Sequence, residues 1–105
     1  MRAAAGNVMS KFDQMTFRLL VNCLKSPDYQ VVVDTLAQLE KEKRPIAIPP
    51  IYLLSAAHPD KRVRQRAAEA LTAIDQSGEV EELTQGKEPD QAAKALIQKY
   101  GNFRA

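Results

Sequence analysis

The dipeptide Pro-Asp occurs three times in this chain, at Pro27-Asp28, Pro59-Asp60 and Pro89-Asp90, separated by 32 and then 30 residues. A period near 30 is that of stacked helical hairpins, each too small to bury its apolar face without a neighbour. The chemistry of the dipeptide supports this reading. Proline interrupts an incoming helix, because it lacks an N–H and its ring clashes with the preceding turn, while aspartate accepts from the first free N–H groups of an outgoing one. Each Pro-Asp follows an apolar segment and precedes one with helical periodicity, so the unit reads helix, tight turn, helix.

In the second unit Ile51, Leu53, Leu54 and Ala57 form the apolar part of a first helix that can begin at Pro49-Pro50, since early helical positions tolerate proline. His58-Pro59-Asp60 turns the chain. Val63, Ala67, Ala70, Leu71 and Ile74 then recur at spacings of three, four and seven, with Arg62, Gln65, Arg66 and Glu69 on the other side of the wheel. The first unit runs from Phe12 to Lys25, turns at Ser26-Pro27-Asp28, and continues from Tyr29 to about Lys43 with the stripe Val32, Leu36, Leu39. The third is short: an acidic first helix around Glu79 to Leu83, a break at Gln85-Gly86, and a helix from Asp90 to Tyr100 closed by Gly101. The expected architecture is all-α, one domain over residues 11–105, preceded by a flexible N-terminal extension over 1–10.

The second unit also carries a family resemblance. Pro59-Asp60 followed by Val63-Arg64, Ala67-Ala68, Ala70-Leu71 and Ile74 resembles the second-helix signature of HEAT repeats, a group that includes phycobilin-lyase-like helical-repeat proteins. The first unit departs from it, with Val32 in place of the signature arginine and Thr35-Leu36 in place of the paired alanines; the third keeps Ala92-Ala93 and Ala95-Leu96 too close to its Pro-Asp. The resemblance implies a short α-solenoid of about two and a half antiparallel helix pairs, the third a truncated cap, whose second helices line one face. It also implies scaffolding or protein binding; lyase or glycosylase chemistry does not transfer with a fold.

Composition excludes more than it identifies. The net charge of +2, from 15 basic and 13 acidic residues, does not by itself mark a nucleic-acid binder. The apolar stretch from Pro45 to Ala57 is broken by prolines and shorter than the roughly 20 residues of a bilayer span, so no membrane span is expected. Cys23, the single cysteine, excludes an intramolecular disulfide and reads as a core thiol among Leu19, Leu20, Val21 and Leu24. A cytoplasmic location is the corresponding expectation. With one histidine, one cysteine and no metal-spaced pair or phosphate loop, the chain offers no set of catalytic or metal-binding residues and no cofactor site. His58 reads as a turn or cap residue, and Glu81-Glu82 and Glu40/Glu42 as solvated helix surface.

The basic run Lys61, Arg62, Arg64, Arg66, with Lys41, Lys43 and Arg44 before it, invites a phosphate-binding reading. Successive helical residues fan out by about 100°, however, so only Arg62 and Arg66 share a face, and Glu69 stands beside them. Arg64 is expected to pair with an acidic neighbour. No aromatic residue interleaves with these cations as a stacking platform would require, so nucleic acid is not favoured as a partner.

The leading expectation is a non-enzymatic protein–protein interaction module or small adaptor. Its binding face on the second helices comprises Gln30, Val33, Asp34 and Ala37 from the first unit and Arg62, Arg66, Glu69 and Ala73 from the second, with Gln30, Asp34 and Ala37 matching Arg62, Arg66 and Glu69 at a shift of 32 residues. The alternative is an accessory or assembly subunit of a larger complex, docked through its N-terminal helix. That helix is apolar around most of its circumference, and Phe12, Phe17, Leu20 and Leu24 are the candidates for an association surface that would also serve a homodimer. Phe12 and Leu19 lie on a different stripe from Phe17 and Leu24, so one stripe is expected to face the second helix and the other to face outward.

Overall fold

The computed structural model describes residues 11–75 and 77–101, with side chains from Met15 onward. The extension expected over 1–10 and the side chain of Phe12 lie outside the described residues. Six α-helices follow one another: α1 (Lys11–Cys23), α2 (Tyr29–Glu42), α3 (Ile48–Ala57), α4 (Lys61–Ile74), α5 (Glu79–Thr84) and α6 (Pro89–Tyr100), with a 3₁₀ turn over Pro45–Ala47 leading into α3. Among the described residues there is no strand. The all-α expectation therefore stands.

Two of the three Pro-Asp turns work as capped helix starts. Asp28 and Asp60 both take extended backbone, φ near −85°, and accept from the N–H of Gln30 at 2.9 Å and of Arg62 at 2.8 Å. Each carboxylate thereby satisfies one of the donors that a helix start leaves without an intrahelical partner. The third dipeptide behaves differently. Glu88 is the cap residue without a side-chain bond, Pro89 enters the first turn, and Asp90 becomes a first-turn acid instead of the cap. At the end of α2, Lys43 takes the left-handed conformation, φ 52°, and its N–H donates to the Leu39 carbonyl, so the helix closes without glycine.

The core joins α1 to α4 and extends to Val80 of α5 and Leu96 of α6, with Leu83 and Tyr100 packed against it. Phe17, Val21 and Leu24 enter from the α1 segment, Val32, Leu36 and Leu39 from α2, Ile48 and Ile51 from α3, Val63, Ala67, Ala70 and Ile74 from α4, with Val80 and Leu96 beyond. Helix α3 packs against both α4 and α6, and α2 lies against α4. Helix α3, Ile-Pro-Pro-Ile-Tyr-Leu-Leu-Ser-Ala-Ala, is apolar around most of its circumference and is covered by α4 and by α6, while Leu53 stays exposed. The alanines of α4 serve the same packing, since Ala67 and Ala70 are fully buried and short side chains let the neighbouring helices close in.

The third hairpin departs from a continued stack. Its second helix, α6, packs mainly against α3 and α5, where repetition of the first two units would align it with α2 and α4. Helix α5 has only six residues, about 9 Å of rise, so the chain turns back at Gly86 before it can repeat the reach of α3. An ion pair between Lys99 and Glu79 at 3.3 Å ties α6 to α5.

Candidate functional site

The second helices of the first two units, α2 and α4, lie side by side and form the surface expected to bind a partner. Beside their apolar packing, an ion pair and a cation–ring contact join them. Arg66 donates to the Glu40 carboxylate at 2.8 Å, and the Arg62 guanidinium sits 4.0 Å over the centre of the Tyr29 ring. Of the residues expected on this face, Gln30, Asp34, Ala37, Arg62 and Glu69 are exposed, while Val33, Arg66 and Ala73 are half-buried. The exposed members form a mixed polar surface on which Gln30 donates to Asp34 at 2.8 Å.

The equivalence between the two helices holds for their caps and not for their rotation. Measured from Asp28 and Asp60, the core stripe of α2 is Val32, Thr35, Leu36 and Leu39, whereas that of α4 is Val63, Ala67, Ala70 and Ile74. Val63 stands one position earlier after its cap than Val32 does after its own, while Thr35 and Ala67 stand at the same one, so the centre of the stripe turns by about 80°. Arg66 is thereby drawn toward α2 and into the Glu40 ion pair.

The turn before α4 is a closed hydrogen-bond network. The Asp60 N–H donates to His58 Nδ1 at 3.0 Å, and Arg64 donates to the carbonyls of His58 at 2.7 Å and Pro59 at 3.1 Å. His58 is thus the turn residue the sequence suggested. Arg64 holds main-chain carbonyls at the end of α3, not the acidic neighbour expected for it; six residues on from His58, its guanidinium reaches back over the turn it follows. Arg62 donates from Nε and Nη2 to the Asp60 carboxylate at 3.3 and 2.9 Å. These side-chain bonds first, and the Arg62 N–H second, hold the Asp60 carboxyl down at about 2. The same contact raises Arg62.

A depressed carboxyl adds stability above its ordinary range near 3.8 and loses it as the pH falls toward about 2. Urea midpoints measured from pH 5 to pH 2 should therefore fall more steeply for the wild type than for Asp60→Asn, which keeps a capping oxygen but has no charge to titrate. Parallel profiles would contradict the role given to the Asp60–Arg62 pair.

The association surface expected on α1 is rearranged. Phe17 and Leu24 are core side chains and Leu20 is half-buried against the core, so these three do not form an outward face. The reason lies in the wheel: Phe17, Val21 and Leu24, spaced four and three apart, make the inward stripe, and Met15 and Leu19 project roughly opposite. They are 60% and 65% exposed. Two stripes exist as anticipated, with the outward one carried by Met15 and Leu19. Cys23 is half-buried.

Sequence reasoning missed the Tyr29–Arg62 stack. Its signal was present, since Tyr29 follows the capping Asp28 by one position and Arg62 follows the capping Asp60 by two, but it required knowing that the two helix starts lie side by side. Among the described residues, no group of three or more His, Cys, Asp or Glu is placed to hold a metal ion, and no helix is long and apolar enough to cross a membrane. Compared with known proteins, the chain matches no family model, no curated protein and no solved structure.

Proposed function

We propose that this chain is a non-enzymatic protein–protein interaction module, a short HEAT-like helical stack that presents its α2–α4 face to another protein. The observation that carries the reading is the adjacency of α2 and α4. Their caps, the Arg66–Glu40 ion pair and the Tyr29–Arg62 stack fix the two helices in register, and they leave Gln30, Asp34, Ala37 and Glu69 facing solvent. A rigid two-helix surface of this kind costs little ordering on binding. Its chemistry is mixed, with cations and anions interspersed, which suits a protein surface better than a polyphosphate.

The guanidinium contacts support the same ranking against nucleic acid. Arg62 is engaged by Asp60 and Tyr29, Arg64 by two carbonyls and Arg66 by Glu40. Binding phosphates through these side chains would first have to compete with partners already in place.

The exposed pair Met15 and Leu19 favours one second reading, an accessory subunit docked in a larger complex through α1. Capture from a native lysate with three forms of the protein separates the two. The face reading expects Asp34→Arg/Ala37→Arg to lose the partner that wild type recovers, and Leu19→Glu to keep it; the docking reading expects the reverse. A partner retained equally by both variants would count against each surface.

A further inference from the structure

We propose that copies of this chain associate head to tail, the Met15–Leu19 face of α1 in one copy seating in a cleft at the α4–α5 junction of the next. The cleft has a volume of about 260 Å³ and is lined by Leu71, Thr72, Asp75, Gly78, Val80 and Glu81. Against ~30 Å³ for a water molecule, that is room for the ends of two aliphatic side chains. Its apolar surface comes from Leu71 and Val80, and Asp75 is fixed beside them, accepting from the Val80 N–H at 3.0 Å and the Ser77 hydroxyl at 3.3 Å.

Charge complementarity selects the occupant. From Asp75 to Gly86 the chain has four acidic residues, Asp75, Glu79, Glu81 and Glu82, and no basic one; Glu79 is paired with Lys99 of α6, which leaves Asp75, Glu81 and Glu82 to set the charge of the cleft. From Met15 to Pro27 it has Arg18 and Lys25 and no acidic one. Arg18 and Lys25 are exposed on the same segment as Met15 and Leu19, and Glu81 and Glu82 are exposed at the cleft. A segment with Arg18 on α1, Lys25 just beyond its end and two projecting apolar side chains therefore meets an acidic cleft with an apolar floor. Among the described residues nothing covers either surface, so a second copy can supply what each lacks.

Because the two surfaces differ, the contact is heterologous and continues from copy to copy, unlike a two-fold dimer. Two projecting side chains bury far less than the ~800 Å² per partner of a stable interface, so association is weak and grows with concentration. Attraction between exposed charges is screened, and raising the salt from ~0.05 to ~0.5 M should weaken it about three- to tenfold.

Sedimentation of the full chain over micromolar to millimolar concentration tests this, with two single-surface variants. Leu19→Glu removes the projecting side; Thr72→Arg fills the cleft and opposes its charge, at a position already exposed. Wild type should pass beyond the mass of a dimer as concentration rises, and each variant alone should stay monomeric. An equimolar mixture should recover heterodimers and stop there, because only one productive pair of surfaces remains; this recovery also shows that both variants are folded. A wild type that stays monomeric at millimolar concentration, a wild type that stops at dimers, association of either variant at wild-type strength, or a mixture that stays monomeric would overturn the proposal.

Discussion

Phe17→Ala is expected to destabilise the protein by about 3–5 kcal/mol, whereas Leu19→Ala, two residues away on the same helix, should change stability by no more than ~0.5 kcal/mol. Phe17 is 1% exposed and is among the largest fully buried side chains, so truncating it removes its transfer free energy and leaves a cavity that its neighbours only partly fill. Leu19 is 65% exposed and has little burial to lose. Equilibrium urea unfolding of the two variants against wild type measures the contrast. Because α1 packs chiefly against α2, the loss at Phe17 also reports whether α1 belongs to the cooperative unit. Equal, small losses at both positions would mean that α1 is only loosely attached and that its inward stripe is misassigned.

A second large effect is expected at Ala67, where the crowding is at the backbone. Helix α4 is held between α3 and α2, and Ala67 is fully buried, so Ala67→Leu forces new methylenes into filled space at a cost of about 1–3 kcal/mol. Gln65, exposed on the same helix, should tolerate alanine within ~0.5 kcal/mol. Thermal melts followed by helical circular dichroism separate the cases. A similar drop in Tm for both would contradict the buried face assigned to α4.

These two helices also show where sequence reading succeeds and where it stops. Local chemistry was legible: the capping aspartates at 28 and 60, the turn at His58, the stripe from Val63 to Ile74 and the stripe Val32, Leu36, Leu39 depend on residues within one or two turns of each other. What depends on the relation between distant segments was not. Matching caps at Asp28 and Asp60 suggested matching faces, yet the α4 stripe is turned by about one residue, because its small alanines and the bulkier side chains of α2 pack against different neighbours. Phe17 and Leu19 both read as apolar members of an all-round hydrophobic helix, and only the position of α2 decides which is inside. The same holds for Arg64, whose carbonyl partners are created by the turn itself, and for α6, whose place against α3 follows from the shortness of α5 and not from any motif within α6. On the candidate face, sequence placed Gln30, Asp34, Ala37, Arg62 and Glu69 on surface that proves exposed. It could not foresee that Arg66 is spent on Glu40 or that Arg62 rests on Tyr29.

The proposed α2–α4 binding face is tested most directly by carboxylate footprinting of the protein bound to the partner captured from a native lysate. Water-soluble carbodiimide and an amine label exposed Asp and Glu, and the face carries Asp34 and Glu69, whereas Glu81 and Glu82 are exposed elsewhere, on α5. Binding through α2 and α4 should cut the labelling rates of Asp34 and Glu69 several-fold and leave Glu81 and Glu82 unchanged. Unaltered labelling at Asp34 and Glu69 in a saturated complex would contradict the assignment of this face.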